Sequence, residues 1–265
     1  MAVAKNKDDL EEIRANDLSK KIKLEVPFKR DVGMLLRRIN SDFAQQYTAD
    51  GTVINAKEYK PELMTILAAN YNRISKFFKF NIRESFDEKV SPEINAKINA
   101  NINQFIKDVS NPKSDIILDT TNKEILTELF NTTNTFIEEE RDITNFAVAN
   151  ETRKGLNLKV PGRANIISIS ETQNGSESVK TIEEETLIDN NVVIAGLALA
   201  ALLKDVWVTT LDEVTRVNHV IANLQEKSPL QSFLVGGELL RYPGDPAGSP
   251  GNIINCRCVK VVSIF

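Results

Sequence analysis

Val206-Trp207-Val208-Thr209-Thr210-Leu211-Asp212-Glu213-Val214-Thr215-Arg216-Val217-Asn218-His219 is where the chain changes character. Three β-prone residues run into Thr210 and Glu213, which are spaced as a capping box, and a helical pattern follows. At about 100° per residue, Val214, Val217, Ile221 and Leu224 share one face, while Asp212, Arg216, His219 and Asn223 share the opposite one. This predicts a helix over 211–224 that carries an acid, a base, the only histidine and an amide in one row. Periodicity alone leaves that row as a solvated face with an Asp212–Arg216 ion pair.

Downstream, Phe233-Leu234-Val235 precedes a Gly236-Gly237 turn, and Val259 to Val262 alternates as a strand. Upstream, apolar spacings of three and four predict helices from Pro61 through Phe78, from Ser91-Pro92 to Asn111-Pro112, from the Thr121/Glu124 capping box past Ile137, and a shorter one ending at Gly155. A further helix is expected over 162–187, and the apolar run 192–203 reads as a buried helix. The expected architecture is α+β: an antiparallel helical bundle over 1–155 with a charged N-terminal arm, then a small module over 156–265 with a short antiparallel sheet.

Composition sets limits. The chain has 265 residues, 42% of them hydrophobic and 26% charged, with a formal net charge of −4. That excludes a disordered chain or a collagen-like fibre, and an acidic total argues against a dedicated duplex-DNA binder. Two cysteines, Cys256 and Cys258, make no disulfide framework and suit a reducing compartment. No signal-like segment or membrane span is expected, since a helix over 192–203 would cover only about 18 Å of the ~30 Å hydrocarbon layer. Residues 14–38 hold eight basic residues (Arg14, Lys20, Lys21, Lys23, Lys29, Arg30, Arg37, Arg38) against Asp17, Glu25 and Asp31. They read as an arm for an acidic partner or packaged DNA. Arg73, Lys76, Lys79 and Arg83 interleave with Tyr71, Phe77, Phe78 and Phe80, a basic–aromatic pattern that fits a bundle helix with a basic outer side.

Four blocks in order resemble the Mu F-like phage minor head (head morphogenesis) proteins. They are Ser170-Glu171-Thr172-Gln173-Asn174; Trp207 to Asp212 with Arg216 and His219; Phe233 to Ser249, including the Tyr242-Pro243-Gly244-Asp245-Pro246 loop; and Asn255-Cys256-Arg257-Cys258. The likeness covers roughly residues 163–258. Val214 and Gln173 stand where members commonly carry arginine and histidine, and 177–203 matches no block. The resemblance implies a non-enzymatic minor capsid component of a tailed-phage virion, assembled in the host cytoplasm. Its implied partners are the portal and the major capsid or scaffold proteins, and its role is in procapsid assembly or in DNA packaging and ejection. It also implies that Glu171, Asn174, Trp207, Asp212, Arg216, His219, Asn255, Cys256, Arg257 and Cys258 form one structural motif.

His219, Cys256 and Cys258 have the chemistry of a structural zinc site, with Asp212 or Glu171 needed as a fourth ligand; no other cofactor is expected. Pro243 and Gly244 stiffen the Tyr242–Asp245 loop, which reads as an exposed docking surface or a stiff crossover. The rival reading is a metal- or thiol-dependent hydrolase or transferase built on Asp212, His219, Cys256 and Cys258.

Overall fold

The computed structural model describes residues 3–78, 90–194 and 197–264. Lys79, Phe80 and Arg83 of the basic–aromatic pattern therefore lie outside the described residues. The chain is α+β. In order come α1 (Lys7–Asp50), a 3₁₀ turn (Ala56–Tyr59), α2 (Lys60–Phe78), α3 (Pro92–Glu138), α4 (Asn145–Asp189), β1 (Val193–Ile194), β2 (Leu197–Ala198), α5 (Leu199–Leu202), β3 (Lys204–Val208), α6 (Val217–Ala222), β4 (Glu226–Lys227), β5 (Phe233–Val235), β6 (Glu238–Leu240), α7 (Pro250–Ile253) and β7 (Val259–Ser263). Among the described residues, no helix is long and apolar enough to cross a membrane.

The long helices correct the expected boundaries. α3 runs 47 residues straight through Pro112, and α4 runs 45 residues through Gly155 and Pro161. An internal proline removes one backbone bond at a cost of about 3 kcal/mol, which a long packed face outweighs. Thr121 is no cap: its hydroxyl donates to the Ile117 carbonyl at 2.8 Å, inside the helix. Gly155 ends nothing either. A Cβ there would lie 1.8 Å from Glu128 Oε1, so the glycine permits close approach of α3.

Two compact units are each discontinuous in sequence. One comprises Met1–Glu25, Asn70–Ile106 and Ile169–Phe265; the other comprises Val26–Ala69 and Lys107–Ser168. The second is helical. Its pairings Asn40–Asn157 and Lys29–Asn165 run α1 against α4, and Lys159–Glu128 and Arg163–Glu124 run α3 against α4, both antiparallel. Its core is aliphatic and aromatic, with Phe28, Ile39, Phe43, Leu67, Leu118 and Ile125 buried.

The first unit holds the sheet, ordered β4-β3-β7 and antiparallel throughout. Ala4 extends it by a parallel bridge to Ser263. Among the described residues, 192–203 do not form the expected helix: β1 and β2 pair antiparallel and a helical turn is confined to Leu199–Leu202, in keeping with the β-branched Val192-Val193-Ile194 start. Nor is there a free N-terminal arm. Residues 14–38 are helical, and Asp17 and Lys21 are fully buried.

Beside its apolar core, this unit buries an unusual number of charged and polar side chains. Gln173, Glu177, Lys180 and Glu184 form one stripe of α4, and all are buried. Lys21 Nζ donates to Gln173 Oε1 at 2.9 Å and to Glu177 at 2.6 Å. Lys180 lies 2.8 Å from Glu177 and 3.1 Å from Asp17, and it donates to the Lys260 carbonyl at 3.0 Å. Lys260 Nζ pairs with Glu184 and, at 3.4 Å, with Asp205. Three lysines thus meet four carboxylates, an imbalance that one retained proton removes. Burial is the largest influence on Asp205, Lys260 opposes it, and Glu184 adds to it, so the carboxyl is pushed up to about 7. Asp17 goes the other way, held below the usual carboxylate range by Lys180 and Lys21 despite its burial.

Two outcomes follow from this packing. The folded state holds the Asp205 proton more tightly than the unfolded chain between 3.8 and about 7. This group therefore makes stability fall as pH rises through that window and leaves it level above. Urea midpoints taken between about pH 5 and pH 8 should decline for the native chain and decline less for Asp205→Asn. Gly175→Ala should destabilise by about 1–3 kcal/mol in the same assay, against the helix preference of alanine. Its Cβ would meet Tyr71 Cδ1 at 2.7 Å and Ile74 Cδ1 at 2.9 Å, both in fully buried side chains.

Candidate functional site: the histidine–cysteine cluster

The expected 211–224 helix is shorter and faces the other way. Only α6 is helical, and it is preceded by a turn in which Thr215 Oγ1 donates to Asp212 Oδ1 at 2.6 Å and receives the Asp212 N–H at 3.1 Å. Thr210 and Glu213 make no capping box. His219 is buried, whereas Val214, Val217, Ile221 and Leu224 are exposed. Polar bonds to β3 impose this orientation. Thr209 Oγ1 donates to the His219 carbonyl at 2.9 Å, and the Thr209 N–H donates to Asn223 Oδ1 at 2.9 Å. The Leu224 N–H donates to the Trp207 carbonyl at 2.8 Å.

The imidazole so placed meets both thiols. His219 Nδ1 lies 3.2 Å from Cys258 Sγ and 3.6 Å from Cys256 Sγ. The Trp207 ring packs edge-on to His219 at 5.7 Å and to Phe233 at 5.4 Å. His219, Cys256 and Cys258 are only 2%, 1% and 2% exposed. The two thiols are inequivalent. Cys256 is pushed well above its ordinary value, chiefly by its hydrogen bond to Cys258 and then by burial. Cys258 is lowered, first by that same bond and against the opposing effect of its burial, with Thr209 and Trp207 adding to the lowering. The same contact thus acts oppositely on the two sulfurs, disfavouring ionisation of Cys256 and favouring that of Cys258.

The other motif residues surround this cluster without joining it. Asp212 is exposed and occupied by its turn, and Glu171 accepts the Tyr71 hydroxyl at 2.6 Å; neither approaches the three donors as a fourth ligand. Asn174 is buried and accepts from Ser178 Oγ at 3.3 Å. Arg216 donates to the Ile254 carbonyl, and Arg257 forms a two-pronged pair with Glu25. Asn255 turns the chain at φ 55°, setting up the Cys256-Arg257-Cys258 run, and its N–H reaches Ser170 Oγ at 3.3 Å.

The 242–245 loop is a correction. Tyr242, Pro243, Gly244 and Asp245 are all buried, so they are core and not a docking surface. Tyr242 Oη lies 2.9 Å from Ser178 Oγ. Asp245 folds the loop onto itself by accepting the Arg241 and Ala247 N–H groups at 2.9 and 3.1 Å. Exposure falls instead on Pro246 and Ala247.

Sequence reasoning missed the residue that joins these pieces. Gln173 Nε2 donates to the Cys258 carbonyl at 2.8 Å and to the Pro243 carbonyl at 3.0 Å, while its Oε1 accepts from Lys21. Only its place in a motif marked it; no periodicity could.

The three donors match, in type and spacing, three of the four positions of a structural zinc site. In a tetrahedral zinc site with Zn–S near 2.3 Å and Zn–N near 2.05 Å, nitrogen and sulfur stand roughly 3.6 Å apart. The observed separations are 3.2 and 3.6 Å, and the three ligand atoms all lie within 4.8 Å of one another. His219, Cys256 and Cys258 would supply three positions, and His219 Nε2, without a hydrogen-bond partner among the described residues, would keep the ring proton. No protein-family model, curated protein or solved structure matches this chain.

Gln173→Leu should leave two buried carbonyls and Lys21 short of partners and cost about 2–4 kcal/mol by urea denaturation. Cobalt(II) titration of chelator-treated protein should give thiolate-to-metal absorption at one equivalent, lost in Cys258→Ser. Absence of that band, with under a tenth of an equivalent of zinc in the purified protein, removes the metal.

Proposed function

We propose that the chain is a structural component of a tailed-phage head, acting with the portal and the major capsid or scaffold proteins in procapsid assembly or in DNA packaging and ejection. One observation carries this reading. The four blocks that resemble the Mu F-like minor head proteins are not merely ordered along the chain but bonded to one another. Gln173 of the first block holds the carbonyls of Pro243 in the third and Cys258 in the fourth, and His219 of the second meets both thiols.

The role proposed for the cluster is a clasp, in which zinc, when bound, would be held by His219, Cys256 and Cys258 and would fix α6 to the closing segment. A nucleophile needs access to its substrate, and these sulfurs sit under Trp207, Phe233 and Leu240 in one apolar cluster. DNA contact is proposed for the helical unit, where Lys29, Arg30 and Arg37 line a groove with Gly33 and Val160.

Quantitative mass spectrometry of virions from a phage encoding the chain should find it in fixed ratio to the portal; its absence from virions and procapsids alike overturns the proposal. His219→Ala should lower stability by about 2–4 kcal/mol by removing a buried ring from the Trp207 edge contact. A variant that stays as stable as the native chain removes the clasp.

A further inference from the structure

We propose that the outer face of α6 and the β5–β6 hairpin is a self-association surface, which docks on the same elements of a second copy of this chain. The face is built from the short helix and the turns that flank it. His219 on α6 is spent on the clasp and Asn223 at its end on Thr209, while Val217 and Ile221 of α6, Val214 before it and Leu224 after it are left in solvent. Val214 is 87%, Val217 73% and Ile221 77% exposed, and Leu224 is half exposed.

The hairpin continues this face. Leu234 and Leu239 are cross-strand partners on its outer side, and both are exposed. Gln225, next to Leu224, fastens the two parts together: its Oε1 receives the Leu234 N–H at 2.8 Å and its Nε2 donates to the Leu234 carbonyl at 3.2 Å. The surface is therefore preformed and rigid, and docking orders little that is not already ordered.

Its size suits a second copy. At 1.5–3 kcal/mol per buried aliphatic side chain and 25 cal/mol per Å², each such side chain carries on the order of 100 Å². Six of them at these exposures offer roughly 400 Å² of apolar area, close to the apolar share of one partner's face in a standard interface. No charged side chain belongs to that set of six, so the patch is complementary to itself, as a two-fold interface requires.

The rim fixes the orientation. Asp212 and Glu213 stand exposed at the start of the segment, where Arg216 is engaged with the Ile254 carbonyl. Lys227 stands at its far end, where Glu226 is paired with Lys204. Two copies with their α6 helices antiparallel bring each acidic end beside the other's Lys227, whereas a parallel arrangement sets like charges together.

Sedimentation equilibrium of the full chain between about 1 and 100 μM tests this, with circular dichroism as the check on folding. The expected result is a reversible monomer–dimer equilibrium. Val217→Glu and Ile221→Glu should each weaken it at least tenfold without altering the spectrum, since both side chains are exposed in the monomer. Leu158→Glu, 83% exposed in the helical unit, should leave it unchanged. Lys227→Glu should weaken the dimer, and adding Glu213→Lys should restore it. A chain that stays monomeric throughout, a dimer indifferent to Ile221→Glu, or association found only with a different protein overturns the proposal. The presence of the chain in virions is read independently of any of these results.

Discussion

The Lys21–Glu177–Lys180–Asp17 chain of ion pairs is the constraint on which the sheet-bearing unit depends. It joins the start of α1 to the second half of α4. Its members are fully or almost fully buried, and each charge faces at least one of opposite sign. A buried pair is a weak source of net stability, because desolvation offsets most of the attraction; what it supplies is intolerance of error. Removing one partner of such a pair leaves a buried charge uncompensated, at a cost of several kcal/mol. The register of α1 on α4 is thereby fixed, and with it the place where Gln173 presents its amide.

That amide is the link between the polar interior and the thiol cluster. Gln173 bonds Lys21 on one side and the Cys258 carbonyl on the other. The same residue packs under Gly244, where a side chain would meet its Cγ at 2.9 Å and where φ is +85°. The motif loop and the closing motif are thus positioned by one side chain, itself positioned by a buried ammonium. The histidine is placed separately, by Thr209, just past β3, bonded to the His219 carbonyl and to Asn223 at the end of α6. Two supports, Gln173 on the closing segment and Thr209 on α6, thus converge on the same three donor atoms.

How much of this was legible follows from what pattern reading assumes. Trp207, the β5–β6 hairpin and the closing strand were legible because β-branched runs bounded by turns carry a local signal. The meeting of His219 with Cys256 and Cys258 was legible because their chemistry singles them out. The α3 and α4 boundaries were not, since Pro112 and Gly155 stop a helix only when nothing else holds it, and packing against neighbouring helices is invisible locally. The N-terminal arm failed for a related reason: Asp17 and Lys21 look solvated until Lys180 and Glu177, more than 150 residues away, are known to face them.

The polar stripe of α4 and the apolar face of α6 are the same failure in opposite directions. Periodicity assigns inside and outside by hydrophobicity, which holds when burial is driven by area removed from water. In α4 the inward face is chosen by ion pairing, with Glu177 and Lys180 also bonded to the β7 backbone at Lys260. In α6 it is chosen by hydrogen bonds from one threonine, which outweigh the exposure of Val217 and Ile221 on a helix of six residues, with Val214 and Leu224 exposed in the turns on either side. Such a helix is too short to bury a hydrophobic stripe against its own unit and still deliver His219 to the thiols. The fold resolves that conflict in favour of the imidazole. The exposed stripe is therefore a consequence of building the clasp, and it gives the module a surface to which a second chain can add what the first cannot bury alone.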